Sequence, residues 1–179
     1  MNSRHVPRTA ARSLGLGLVA CALSLFAGCA AVVAPTPGQP QAELLQRWGP
    51  PTARYSMPDG ATRLEYATGP YGRTTWMVDL GADGRVVGAR QVLNEAEFQA
   101  VQTAAGRSAD GLSREELLRW LGTPGERRSG GRAGGQVWSW RYPTNDCLWF
   151  EFSVSDAGRA RSGAYSIDPR CDAPSDGKN

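Results

Sequence analysis

From residue 40 onward the apolar positions run through the same change of period twice. Within Gly111–Pro124 (GLSREELLRWLGTP), Leu117, Leu118 and Leu121 recur three and four residues apart, as on one face of a short helix, and Glu43–Trp48 carries the same phrase worn down, with Leu44 and Leu45. The later helix carries its own punctuation. Ser113 can cap it, and Glu116 completes a capping box. Gly122 can take the left-handed conformation at its end, and Pro124 forbids continuation. After each helix the period drops to two. Leu64 and Tyr66 within Thr62–Ala67, the run Thr74, Trp76, Val78 and Leu80, and Val86–Leu93 predict three strands in the first stretch. Val137–Tyr142, Leu148–Val154 and Arg161–Ile167 predict three in the second. Gly69-Pro70-Tyr71-Gly72, Asp83-Gly84 and Asp156-Ala157-Gly158-Arg159 supply turns between them. One more helix is predicted before the second stretch, with Asn94 as cap, Glu97 three residues on, Phe98 and Val101 as its apolar stripe and Gly106 as its stop.

The two stretches match residue by residue. Leu44, Leu45, Gly49 and Pro51 correspond to Leu117, Leu118, Gly122 and Pro124 at an offset of 73. Downstream the offset is 74. It relates Leu64 and Tyr66 to Trp138 and Trp140, Trp76, Val78 and Leu80 to Phe150, Phe152 and Val154, and Gly84-Arg85 to Gly158-Arg159. The expectation is an α+β protein of two tandem helix-plus-three-strand units, a degenerate one at 42–93 and a second, with the extra helix, at 94–171.

The ends of the chain read differently. Arg4, His5, Arg8 and Arg12 precede the uncharged apolar run Leu14–Phe26, and Phe26-Ala27-Gly28-Cys29 is similar to a bacterial lipoprotein cleavage box. Residues 1–28 are expected to be a signal peptide and Cys29 the lipidated residue, with Leu18-Val19-Ala20-Cys21 as a rival box. Residues 29–41 form a Pro-rich tether, and a doubly signalled lipid anchor there holds a protein at a membrane. Ala30 follows the cysteine in place of an inner-membrane retention aspartate, so the expected location is the outer membrane, facing the periplasm. Residues 172–179 are polar and expected to be disordered.

Loss of that segment changes the chemistry on offer. Arg4, Arg8 and Arg12 are the whole excess of 20 basic over 17 acidic residues, so the basic balance is no argument for nucleic acid. The one histidine, His5, goes with it, which excludes Ser-His-Asp and Cys-His catalysis and imidazole metal sites from the remainder. No metal or cofactor is expected. Glu151 beside Asp146, and Asp79 near Asp83, are the only acid–base pairs to offer, and they read more simply as solvated edge and turn residues. The Gly-rich run Ser129–Gly135 lacks the Gly-Lys-Ser/Thr ending of a phosphate loop and reads as a connector. Two cysteines remain, Cys147 and Cys171. If Asp156–Arg159 closes a hairpin, paired positions sum to about 315, Cys147 lies opposite position 168, and a disulfide to Cys171 is geometrically reasonable. Six tryptophans are many for a chain this short. Trp149 shares its strand face with Glu151 and Ser153, a mixed face of the kind that anchors interfaces. The partner-binding candidates are therefore Trp149, with Trp138, Trp140 and Tyr142 on the neighbouring aromatic faces.

GLSREELLRWLGTP followed by VWSWRY and LWFEFSVSDAGRA resembles the SmpA/OmlA, or BamE-like, family of small outer-membrane lipoproteins, over residues 92–168; residues 40–91 match it less well. β-Lactamase-inhibitor proteins use a similar unit in tandem. The sequence departs from the family in having Leu112 where Met is usual, two units and a cysteine pair. The resemblance implies a non-enzymatic lipoprotein that binds envelope proteins, as an accessory of the outer-membrane β-barrel assembly machinery. The alternative is an inhibitor or sequestering module whose two units form a concave sheet around an enzyme.

Overall fold

The computed structural model describes residues 33–68, 74–130, 134–142, 145–168 and 171. Cys21, Cys29, the first residues of the tether (29–32), the Gly69–Gly72 turn and the 172–179 tail lie outside them. Within the described residues three helices accompany two separate antiparallel sheets, an α+β architecture. In chain order they are α1 (Gln41–Trp48), β1 (Ala53–Ser56), β2 (Thr62–Thr68), β3 (Thr74–Leu80), β4 (Val86–Gln91), α2 (Glu95–Arg107), β5 (Leu112–Ser113), α3 (Arg114–Leu121), β6 (Glu126–Ser129), β7 (Gln136–Tyr142), β8 (Asn145–Val154) and β9 (Arg159–Ile167). The first sheet runs β1-β2-β3-β4 and the second β5-β9-β8-β7-β6.

The sheets therefore have four and five strands where three each were expected. Three strands were not expected. β1 (ARYS) and β6 (ERRS) are four-residue segments with few apolar side chains that form because each can hydrogen-bond to the edge of an apolar strand, β2 and β7. The third is the two-residue β5, which pairs with β9. The stop of α2 is corrected as well. The helix passes through Gly106 to Arg107 and ends at Ser108, whose N–H reaches the Ala104 carbonyl at 3.2 Å. Gly106 faces open space, so it costs helix propensity without breaking the turn. The expected caps are present. Asn94 Oδ1 accepts the Glu97 N–H at 3.0 Å, and Ser113 and Glu116 exchange both bonds of a capping box at 3.2 and 2.7 Å.

The two halves share their hydrogen-bond framework. Gly49 (φ 77, ψ −165) and Gly122 (φ 79, ψ −169) end α1 and α3 identically, each returning its N–H to the carbonyl four residues back at 2.9 Å. The isolated bridge Pro40↔Arg85 matches Ser113↔Arg159 in β5 and β9. Thr52 N–H to the Glu65 carbonyl (2.7 Å) matches Gly125 N–H to that of Ser139 (2.9 Å).

Alternation decides the layers. Leu64, Tyr66, Val78, Leu80 and Val86 turn one face of the first sheet toward Leu44 and Trp48 of α1. Met77, from the opposite face, joins Phe98, Val101 and Ala105 of α2, Leu117 and Leu121 of α3, and Trp138, Trp140, Phe150 and Phe152 of the second sheet in one larger core. The order through the molecule is α1, first sheet, α2 with α3, second sheet. The β8–β9 register pairs Leu148 with Ile167 and Phe150 with Tyr165, the expected sum of 315.

Candidate functional site

The residues proposed to meet a partner sit on the second sheet, and most of them point inward. Trp138, Trp140 and Tyr142 share the face that receives α2 and α3. Trp138 and Trp140 are 4% and 1% exposed, and Tyr142 is half-buried against Phe98 and Tyr165. Trp140 also spends its indole N–H on the Gly122 carbonyl at the end of α3, 3.0 Å away. These rings are packing residues. A strand face rich in aromatics is equally what two helices need to bury, which is why the pattern alone could not separate the two roles.

Trp149 occupies the opposite face, as alternation requires, yet it is 1% exposed. The Arg141 and Arg128 guanidiniums lie 5.1 and 5.8 Å from its ring centre. Among the described residues its indole N–H has no hydrogen-bond partner, nor has the hydroxyl of Ser166, its cross-strand neighbour. Around it the charges are engaged. Glu151 accepts Arg128 and the Ser139 hydroxyl, and Arg141 meets Asp168 at 3.3 Å. The candidate interface anchor read from the mixed face is thus a buried ring inside an arginine-rich face.

The disulfide joins Cys147 to Cys171 with Cα atoms 5.7 Å apart. Asp168, opposite Cys147, donates its N–H to the Cys147 carbonyl at 2.8 Å, and Cys171 donates to the Asp168 carbonyl at 2.8 Å. The end of β9 is pinned to the start of β8 by all three links.

Carboxylates offered as acid–base pairs have structural work. Asp79 is held by Arg63 at 2.5 and 2.9 Å and by Arg90 at 3.6 Å. Asp83 accepts the Arg85 N–H within its turn. The Asp146 side chain lies outside the described residues. Among the described residues no group of three or more His, Cys, Asp or Glu side chains is arranged to hold a metal ion.

Two polar clusters escaped the sequence. Glu65 on β2 is fully buried between the first sheet and the end of α3. It accepts the Tyr55 hydroxyl, the Thr123 N–H (3.1 and 3.0 Å) and the Thr123 hydroxyl (3.3 Å). Burial, then the bond to Glu65, pushes the Tyr55 hydroxyl well above the usual tyrosine range. Beside it, Arg63 donates to the Arg119 carbonyl at 2.7 Å, putting a cation at the C-terminus of α3. The second cluster is at the molecule's rim, where Glu95 accepts the Tyr165 (2.8 Å) and Tyr142 (3.2 Å) hydroxyls and Gln99 (2.7 Å). Those bonds, that from Tyr165 first, lower the Glu95 carboxyl, and burial followed by the same contact raises Tyr165. A lone Glu in a strand that reads as solvent-facing gives no signal that a helix end will cover it.

Comparison of the chain with family models, curated proteins and solved structures gives no match.

Proposed function

We propose that this chain is a lipid-anchored, non-enzymatic envelope protein built from two tandem BamE-like units, which binds other envelope proteins as an accessory of the outer-membrane β-barrel assembly machinery. The observation that carries the reading is the shared framework of the halves: matched glycine caps at Gly49 and Gly122, matched bridges at Pro40–Arg85 and Ser113–Arg159, and helices in the same place before each set of strands. The cleavage box ending at Cys29 and the family-like phrases in the second half supply the location and the partner class. The engagement of Asp79 and Glu151 by arginine favours binding over catalysis.

The inhibitor reading asks for one continuous concave sheet. Two sheets separated by a helix layer do not favour it. Purification of the tagged protein from its own envelope in mild detergent, with mass spectrometry of what co-elutes, tests the proposal, and a Cys29→Ser control measures how far association needs the anchor. Recovery of barrel-assembly subunits supports the reading. Recovery of a single unrelated hydrolase that the protein inhibits, or of nothing above background, ends it.

A further inference from the structure

The second sheet is closed on its β9 side only where that strand begins. β5 pairs with Arg159 and Ala160, and among the described residues no strand pairs with that side of β9 beyond Ala160. Register says which backbone groups face the gap. Asp168 donates to Cys147, its opposite number, so the hydrogen-bonded pairs with β8 fall at Asp168, Ser166 and Ala164. The N–H and C=O groups of Gly163, Tyr165 and Ile167 then point outward. The Gly163 carbonyl fits this phase, because Gln102 of α2 donates to it from outside the sheet at 2.7 Å.

Gln102 and the bulge between Phe152 and Val154 blunt the first part of this edge, as natural sheets commonly do. The part at Tyr165–Ile167 has neither device. Tyr165 is 40% and Ile167 55% exposed, and they stand among the few large apolar side chains on the described surface. Both ends of the strand are fixed, one by β5 and the other by the disulfide. Arg159 and Arg161 are exposed, and residues 157–167 contain no acidic side chain. The carboxylate nearest Tyr165 is that of Glu95, already taken by two tyrosines and Gln99.

We infer that the outer edge of β9 takes an extended segment of another protein as an added strand, its acidic side chains toward Arg161 and its apolar ones on Tyr165 and Ile167. Backbone pairing supplies the affinity and alternate side chains the selectivity. A second copy of β9 would bring arginines with no counter-charge, so an acidic partner fits better. The inference rests on the protein-binding reading above and names the surface that does the binding.

The probe is a fluorescein-labelled nine-residue peptide of alternating glutamate and valine, with the same peptide N-methylated at alternate amides as its control. Ile167→Pro is the decisive variant, since the Ile167 N–H faces outward and its loss removes no bond to β8. Saturable binding by the intact protein is expected, weakened about tenfold or more both by N-methylation and by I167P in a variant that melts like the parent. Should I167P not fold, Ile167→Asp is expected to weaken the acidic peptide in the same sense. Equal binding of the methylated peptide, or full binding by folded I167P or I167D, overturns the inference. So does a β9-dependent dimer with no peptide binding. Repeating the envelope purification with I167P separates the two claims. Unchanged partners would sink the edge and leave the proposed function, while peptide binding with no envelope partner would do the reverse.

Discussion

Glu65 accepts the backbone N–H of Thr123 through both carboxylate oxygens, at 3.1 and 3.0 Å, across 58 residues of chain. One buried side chain of the first sheet thereby closes the end of a helix belonging to the second half. Replacing it with alanine strands the Tyr55 hydroxyl and the Thr123 N–H and leaves a void. Glu65→Ala is expected to lower stability by about 2–4 kcal/mol. Urea unfolding measures this, and a loss within error of zero would show the contact to be incidental.

Gly49 and Gly122 have the same left-handed backbone but different surroundings. A Cβ at Gly49 meets nothing within 4 Å, whereas one at Gly122 comes within 2.9 Å of Thr75 Cγ2 and 3.0 Å of the Glu65 carboxyl carbon. With φ 77 and ψ −165, a region that is essentially glycine-only, Gly49→Ala should cost about 1–3 kcal/mol for the backbone alone. Gly122→Ala should cost clearly more, because Thr75 and the buried, hydrogen-bonded Glu65 carboxylate must shift to admit the methyl. Equal costs by thermal melting would contradict the tight seam.

Trp140 and Trp149 are equally buried, but among the described residues only Trp140 has a partner for its N–H. Trp140→Phe is expected to cost about 1 kcal/mol more than Trp149→Phe, since it leaves the Gly122 carbonyl unpaired. Paired denaturation curves decide it, and the reverse order would mean that the arginines on Trp149 matter more than the bond at Trp140.

The disulfide spans 24 residues and encloses the β8–β9 hairpin. The loop-entropy model gives about 3.5 kcal/mol for a loop of that length. Reduction, or a Cys147→Ser, Cys171→Ser double variant, should lower the urea midpoint accordingly and raise protease sensitivity at the end of β9 first. A uniform change in sensitivity along the chain would argue against local pinning.

Glu116 adds a pH signature. Its bonds with Ser113, the backbone one first, hold its carboxyl below the usual range. The folded value is the depressed one, so this contribution is complete above the unfolded value of about 4.3 and fades as pH falls through the folded value. Glu116→Gln should lose stability at neutral pH and flatten the acid limb of the stability profile. Parallel profiles for parent and variant between about pH 3 and 6 would contradict it.

Period and punctuation in the sequence were enough for the helix starts at Asn94 and Ser113, the glycine stops at 49 and 122, the hairpin register and the cysteine pair. The caps and stops depend on neighbours within a few residues, and the register and the cysteine pair on one turn, Asp156–Arg159, that fixes which positions face each other. β1 and β6 were invisible because ARYS and ERRS are only four residues long, with few apolar side chains, and owe their form to the strand beside them. The roles of Trp138, Trp140 and Trp149 were illegible for another reason. An aromatic face covered by helices and one offered to a partner have the same pattern, and only packing tells them apart. Glu65 was the hardest, as its burial depends on a helix 58 residues away.

The helix layer between the sheets has a consequence for how the molecule comes apart. Met77 of the first half belongs to the same core as Phe98, Leu121 and Phe152 of the second. The first half has a core of its own around Leu44, Leu64 and Val78, but its other face, with Met77 and Glu65, is closed only by the second half, so cutting the chain between β4 and α2 would uncover that face. Amides on that shared seam, in β2, β3 and the end of α3, would then lose their protection before those facing Leu44 and Val78, so hydrogen exchange would report the seam as one foldon.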